Sequence, residues 1–375
     1  MINEVIGESI EIDGQYYVRT KPGAKGCALY GPYVPLDPGN YVIEFSVNPI
    51  EKGDDEGDVI CASVDVVCDF GATVLAQSSV YLSQLLEGGR IQLAFEVQDR
   101  KENIEYRVFT EGQVRFLVGT APWLIADRHR VPEMRNGIIE TFRRLRPHAV
   151  QGFKKKRFGA GHDGGYVAID DFRTVDTVFS FGIEQNASWD ASIAQHGATI
   201  YQFDHTVDAP MPHDSRMIFE KKKISAEAGP NSESLVSLLK RHDKGRLEPN
   251  ILLKMDIEND EWPVFDATPP AYLVRFTQII CEFHRFESLP DLAWRARVIR
   301  VLNKISDAYC LIHVHANNYA AVSNICDLAI PNVIEMTFAN RDLYSFKETN
   351  EVFPGDFDSP CDPTRPDIQL GGFQF

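Results

Sequence analysis

Several apolar runs in this chain end in residues that can do chemistry. Ile251-Leu252-Leu253-Lys254-Met255 is followed by Asp256, Glu258, Asp260 and Glu261, four carboxylates within six residues. Like charges at that spacing repel one another unless a cation, donors or solvent offset them. Gln278-Ile279-Ile280-Cys281 leads into Glu282-Phe283-His284, and alternation along a strand puts Glu282 and His284 on one face. A histidine beside a carboxylate at a strand end is suited to removing a proton near neutral pH. Cys310-Leu311-Ile312 continues into His313, Val314, His315, Ala316 and Asn317. The two histidines share a face, where hydrogen bonding to a substrate is the first expectation and metal ligation, lacking a clear third ligand, the second.

Glycines mark two further places. Thr177-Val178-Phe179-Ser180-Phe181 ends at Gly182-Ile183, and the next apolar run, Thr199 to Phe203, ends at Asp204, 22 residues after Gly182. A carboxylate about 20 residues past a glycine turn is where the ribose of an adenosine cofactor is held. The pattern G-x-G-x-x-G is absent, because Ile183, Glu184, Gln185 and Asn186 follow Gly182. This disfavours a pyrophosphate and leaves a nucleoside cofactor without phosphates; a βαβ unit whose Gly182 and Asp204 only serve turns fits the same spacing. Upstream, Gly161-His162-Asp163-Gly164-Gly165-Tyr166 is a compact turn able to bring backbone to a ligand, or a plain hairpin.

These residues need elements to hold them. Strands are expected near 177–182, 199–203, 251–256, 277–283, 309–315 and 333–338, with helices near 188–196, 232–242 and 291–306. Strand and helix in alternation predict a mostly parallel, doubly wound sheet, which binds ligands beyond the carboxyl ends of its strands. Residues 1–120 read differently: Ile91, Leu93, Phe95 and Val97 alternate with polar neighbours, as do Ile104, Tyr106 and Val108. Turn signals separate such runs at Pro22-Gly23, Asp37-Pro38-Gly39-Asn40, the acidic loop Glu51 to Asp58 and Gly88-Gly89. Together they predict an antiparallel sandwich. Residues 121–149 form a linker with an amphipathic helix over Glu133 to Leu145, its apolar side Met134, Ile138, Phe142 and Leu145. Residues 150–375 form the α/β domain.

The 375 residues suffice for two such domains, and 44% hydrophobic with 25% charged residues matches ordinary globular chains. Thirty-eight Lys and Arg against 54 Asp and Glu give a net charge of −16, which repels a phosphate backbone and excludes general nucleic-acid binding. The clusters Lys154-Lys155-Lys156-Arg157 and Lys221-Lys222-Lys223 are kept as contacts for an anionic substrate. No run reaches the length of a membrane span, no signal segment opens the chain, and a cytoplasmic location is expected. Seven cysteines without a C-x-x-C pair fit reduced thiols better than disulfides or a zinc site.

Asp163-Gly164-Gly165-Tyr166-Val167, Phe179-Ser180-Phe181-Gly182-Ile183, Phe203-Asp204, Leu253-Lys254-Met255-Asp256-Ile257-Glu258 and Cys281-Glu282-Phe283-His284 together resemble the FkbM-type and related class I S-adenosylmethionine-dependent methyltransferases, over about residues 150–340. The resemblance implies a Rossmann-like, mostly parallel seven-stranded sheet with its last strand antiparallel. It also implies S-adenosyl-L-methionine over the first two strand ends, and O-methylation, often of a sugar. Asn259 stands where the family commonly has glycine, and Glu184 where it has a small residue. Tyr30 to Tyr41 resembles a β-sandwich segment found beside enzymes of bacterial polysaccharide assembly, which implies a module that binds glycan through Tyr30, Tyr33 or Tyr41, or pairs subunits.

On that reading His284 is the base, Glu282 orients it or helps bind a cation, and Asp256 reaches the acceptor hydroxyl. Gly164, Gly165, Tyr166, Gly182, Ile183, Asp204 and Asp256 contact the cofactor, and Glu258, His313, His315 and Asn317 the substrate. A Mg2+ or Mn2+ ion on Asp256 and Glu282 would lower the acceptor hydroxyl's pKa. The acceptor is a sugar, an oligosaccharide or a nucleotide sugar, in O-antigen or capsule modification, with a homodimer and peripheral association with a polysaccharide-assembly complex as accompanying expectations. The rivals are a non-enzymatic glycan-binding protein on an α/β scaffold, a methyltransferase acting on a small-molecule natural product, and a nucleotide-sugar or nicotinamide enzyme on a similar sheet, the last disfavoured by the missing phosphate-binding glycines.

Overall fold

The computed structural model describes residues 5–12, 15–50, 59–86, 88–127, 129–208, 210–242, 248–326 and 328–375. The acidic loop Glu51 to Asp58 lies outside them. The chain divides into two compact units: the first is Met1–Ile138 with Glu287–Val298 and Val322–Ile330, the second Ile139–Phe286, Ile299–Ala321 and Pro331–Phe375.

The first unit holds two antiparallel sheets. In one, Gly39–Pro49 pairs with Arg90–Val97 along one edge, and with Phe116–Gly119 and Trp123–Ala126 along the other; Gln15–Thr20 and Gly7–Ile12 extend it. In the other, Lys101–Thr110 and Ile60–Cys68 are central, flanked by Gly26–Leu29, Pro32–Leu36 and Thr73–Tyr81. Alternation decides the core: Ile91, Leu93, Phe95 and Val97 from the first sheet join Ile104, Tyr106 and Val108 from the second in one buried cluster. Later chain completes this unit. The Asp291 carboxylate accepts from Ser78 Oγ and Gln84 Nε2 at 3.2 Å, and Trp294 stacks on Tyr81 with centroids 5.6 Å apart.

The second unit is built on seven strands, here β1 (Thr177–Phe181), β2 (Thr199–Phe203), β3 (Met217–Glu220), β4 (Ile251–Met255), β5 (Phe276–Phe283), β6 (Tyr309–Ala316) and β7 (Ile334–Asn340). Their order is β3-β2-β1-β4-β5-β7-β6. The pairings β3·β2, β2·β1, β1·β4 and β4·β5 are parallel, while β7 runs antiparallel between β5 and β6. Every residue of β1, β4, β5, β6 and β7 is buried, as expected of strands covered on both faces and rich in apolar residues.

The expected class, an α/β Rossmann-like, mostly parallel domain beside an all-β sandwich, is corrected. Strands account for 43% of the described residues and helices for 19%, so these are mostly β, and the seven-stranded sheet is mixed. The reason lies in the connections. A doubly wound sheet needs a substantial helix after each strand, whereas α1 (Ser188–Ala194), α2 (Leu235–Arg241) and α3 (Glu261–Ala267) have seven residues each and α4 (Pro270–Leu273) four. No helix joins β2 to β3 among the described residues. Among the described helices that connect these strands only α5 (Leu292–Ala308), at 17 residues, is long, and its first seven residues belong to the first unit; the 15-residue helix Arg130–Arg144 precedes the sheet. Short two-stranded ladders, such as Lys155–Gly159 with Gly165–Ile169, fill the space between.

Candidate functional site

A cavity of about 250 Å³ opens in the second unit where β1, β2 and β4 end. The chain leaves β1 toward β2 and leaves the adjoining β4 toward β5, on the opposite side, so the connections diverge and a crevice opens between the strand tips. Gly182 sits at its centre with φ +67°, and a Cβ there would run into the carbonyl oxygen of Asp256. Only glycine combines that backbone with that approach. Gly164, φ +81°, also lines the cavity, packed against the Asn186 side chain. Gly165 is pressed against the carbonyl of Ala160 and, unlike Tyr166, does not reach the cavity.

Asp204 lines the cavity, and the protein itself takes up its carboxylate. Oδ2 accepts from the backbone N–H groups of Ile183 and Glu184 at 2.8 Å, and Oδ1 accepts from Thr206 N at 2.7 Å and Thr206 Oγ1 at 2.6 Å. Burial pushes its pKa up, but these donors outweigh burial and hold it below the usual carboxylate value. Its part is to fasten the loop after β1; the ribose grip expected of it would require sharing these same oxygens.

Asp256 and Glu282, from the ends of β4 and β5, face the cavity together. Tyr166 donates its hydroxyl to Asp256 Oδ2 at 2.8 Å, and Lys254 Nζ lies 3.7 Å from the same oxygen while donating to the carbonyls of Phe181 and Gly182. Asn317 donates to Glu282 Oε1 at 2.8 Å. Burial raises the Glu282 carboxyl well above its ordinary value, the Asp256 charge adds to that, and His284 opposes it.

His284, 8% exposed, is ringed by carboxylates. Nδ1 lies 3.1 Å from Glu261 Oε1, and Nε2 lies 3.4 Å from Glu258 and 3.7 Å from Glu282. Burial favours the neutral ring, but Glu261 and then Glu282 and Asp256 raise its pKa well above 6.5. These carboxylates favour the imidazolium, so the ring has to give up a proton before it can act as the expected base. Glu261 is the residue that sequence reasoning passed over: it is fully buried, and it also accepts from Ile257 N–H at 2.9 Å. Its place in the acidic run was visible, but its pairing with His284 was not.

His313 and His315 lie away from the cavity. His313 Nε2 is 2.8 Å from Asp358 Oδ1, and burial lowers its pKa. His315 sits between Glu335 and Asp367. Neither is among the cavity's lining residues, whereas Glu258, Asn317, Ile183 and Tyr166 are. Sequence reasoning also missed Trp189, which lines the cavity with its Nε1–H buried and without an acceptor among the described residues. Of the basic clusters, Lys222 and Lys223 reach the cavity, while Lys155 is paired with Glu351 at 2.6 Å.

The donor set fits a divalent ion: one ligand atom each from Asp256, Glu282 and His284 lies within 4.8 Å of the others. Two carboxylates with an imidazole suit Mn2+, and the carboxylates alone suit Mg2+.

No family of known proteins matches the chain, and no curated protein does. Among solved structures it is similar to the C-terminal CBM6 of LamC, a marine laminarinase from Zobellia galactanivorans, at 15% identity over 31% of this chain and 89% of that one, TM-score 0.21. It is also similar to a carbohydrate binding module of Cellvibrio mixtus lichenase 5A in complex with cellotriose, at 15% identity over 31% and 86%, TM-score 0.20. A third is the CBM22-1-GH10 modules of the Clostridium thermocellum xylanase 10B complexed with xylohexaose, at 13% over 54% and 34%, TM-score 0.24. At these TM-scores the likenesses define neither fold nor activity. Among the described residues no helix is long and apolar enough to cross a membrane.

Proposed function

We propose that the cavity of the second unit binds S-adenosyl-L-methionine and directs its methyl group to a hydroxyl of a sugar, oligosaccharide or nucleotide-sugar acceptor. The observation that carries this is the charge of the cavity at the strand tips: eight carboxylate side chains and three lysines line it. Such a wall favours a ligand with fixed positive charge, which the sulfonium and ammonium of this cofactor supply. Gly182 lets the ends of β1 and β4 close up at the cavity wall, and Trp189 offers an N–H donor unused among the described residues.

When bound, S-adenosyl-L-methionine would supply an electrophilic methyl group to the acceptor oxygen, its sulfur keeping the electron pair of the broken bond. Alignment of the two reactants supplies most of the acceleration. Asp256, whose Oδ2 is held by Tyr166, takes the acceptor's proton in place of His284. The imidazolium of His284 balances the surrounding carboxylates. A divalent ion, where bound, would be held by Asp256, Glu282 and, once its imidazole had lost the ligating proton, His284, and would lower the acceptor hydroxyl's pKa.

Calorimetric titration with S-adenosylmethionine and S-adenosylhomocysteine tests the cofactor. Tighter binding of the sulfonium, weakening as salt is raised, is expected; binding of neither ligand would refute the proposal. Labelled methyl transfer across oligosaccharides and nucleotide sugars tests the reaction. Asp256→Asn is expected to lower turnover by at least about 100-fold, and unchanged turnover in excess EDTA would remove the metal.

A second reading, glycan binding without catalysis, is favoured by two exposed aromatic residues on one sheet of the first unit, Trp123 at 64% and Tyr16 at 59% exposure. Exposed rings of this kind stack on sugars, whereas Tyr41 packs on Phe95 and Tyr33 donates to Glu105. Affinity for cellotriose or xylohexaose that Trp123→Ala abolishes, with no methyl transfer, would favour it.

A further inference from the structure

A second group of ligating side chains lies outside the cavity. The pairing of β6 with β7 sets His315 opposite Glu335, and the C-terminal segment brings Cys361 against both. His315 Nδ1 is 3.0 Å from Glu335 Oε2, Cys361 Sγ is 3.6 Å from Glu335 Oε1, and the three ligand atoms all lie within 4.8 Å of one another. Tetrahedral zinc, with bonds of about 2.0–2.3 Å, separates its ligand atoms by roughly 3.3–3.6 Å. His315 is 1%, Glu335 6% and Cys361 1% exposed, so the group is shielded from bulk solvent. The other ring nitrogen, Nε2, lies 3.1–3.2 Å from the Asp367 carboxylate. That is the outer carboxylate which orients a metal-bound imidazole.

We propose that His315, Glu335 and Cys361 hold a zinc ion, a water taking its fourth position, that fastens the C-terminal segment to the sheet, with Asp367 orienting the imidazole. Thiolate with imidazole selects zinc over magnesium. Beyond Glu348 the chain has neither helix nor strand, yet it carries Cys361 and Asp367. Besides the metal, Asn318 anchors it, donating to Asp362 O at 3.0 Å and accepting from Asp362 N at 2.7 Å. Binding releases the thiol proton of Cys361 and the Nδ1 proton of His315 to solvent.

The test uses the full chain, stripped with a chelator and dialysed against zinc or cobalt. One zinc per chain beyond any held in the cavity is expected by mass spectrometry, with thiolate-to-cobalt charge-transfer absorption in the cobalt form. Both persist in Asp256→Asn and are lost in Cys361→Ser, and Asp367→Asn weakens zinc binding about 10- to 100-fold. A cobalt form without the thiolate band, a band that survives Cys361→Ser, or zinc lost with Asp256→Asn alone would overturn the proposal. Should Cys361→Ser not fold, the cobalt spectrum of the parent chain decides.

Discussion

His284 shows how far a side chain's neighbours can reverse its chemistry. By type and position it is a base; Glu261 at 3.1 Å, with Glu258 and Glu282 beyond, favours its cationic form. Glu261→Gln removes the nearest charge, so the imidazole pKa is expected to fall, as read by the pH dependence of its ring proton resonances in NMR. An unmoved titration would show that Glu261 is not what holds the proton. Asp204 is the opposite case. Its folded pKa lies below its ordinary value, so its stabilising effect is complete above that ordinary value, about 3.9. The effect is lost as pH falls through the lower folded value. Asp204→Asn is expected to cost about 1–3 kcal/mol at pH 7 and to flatten the loss of stability below pH 4 in denaturant titrations.

At the scale of elements, burial decided what could be read from sequence. β1, β4, β5 and β6 are buried on both faces, and their apolar runs stand where expected. β3 was missed because Met217–Glu220 is only partly buried and carries no such run. The helices near 188–196 and 232–242 exist but are short, and reading them as full layers produced the wrong class. Strand tips delivered Gly182, Asp256, Glu282 and Asn317 to the cavity as expected. The roles of these residues depend on partners distant in sequence, such as Tyr166 for Asp256, which no local pattern records. Cys361 was passed over for the same reason, since a search for paired cysteines does not look for a histidine and a glutamate on two strands. A local device offers a clean test: Ser234 and Ser237 form a capping box at the start of α2. Ser234→Ala is expected to lower stability by about 1 kcal/mol, measured by urea denaturation.

For the whole molecule, the net charge of −16 predicts no retardation of duplex DNA in electrophoretic mobility assays even at low salt, where nucleic-acid binding is strongest. Retardation would show that a local basic patch overrides the total. The sandwich takes Asp291, Trp294 and the stretch Val322–Ile330 from far along the chain. A ribosome making this protein releases the first 138 residues long before those pieces emerge. Until then the nascent sandwich lacks the Trp294 ring that covers Tyr81 and the carboxylate that satisfies Ser78. Its completion waits on translation of most of the polypeptide, so slowing synthesis between codons 139 and 330 lengthens the time the newborn sandwich is exposed to chaperones and proteases.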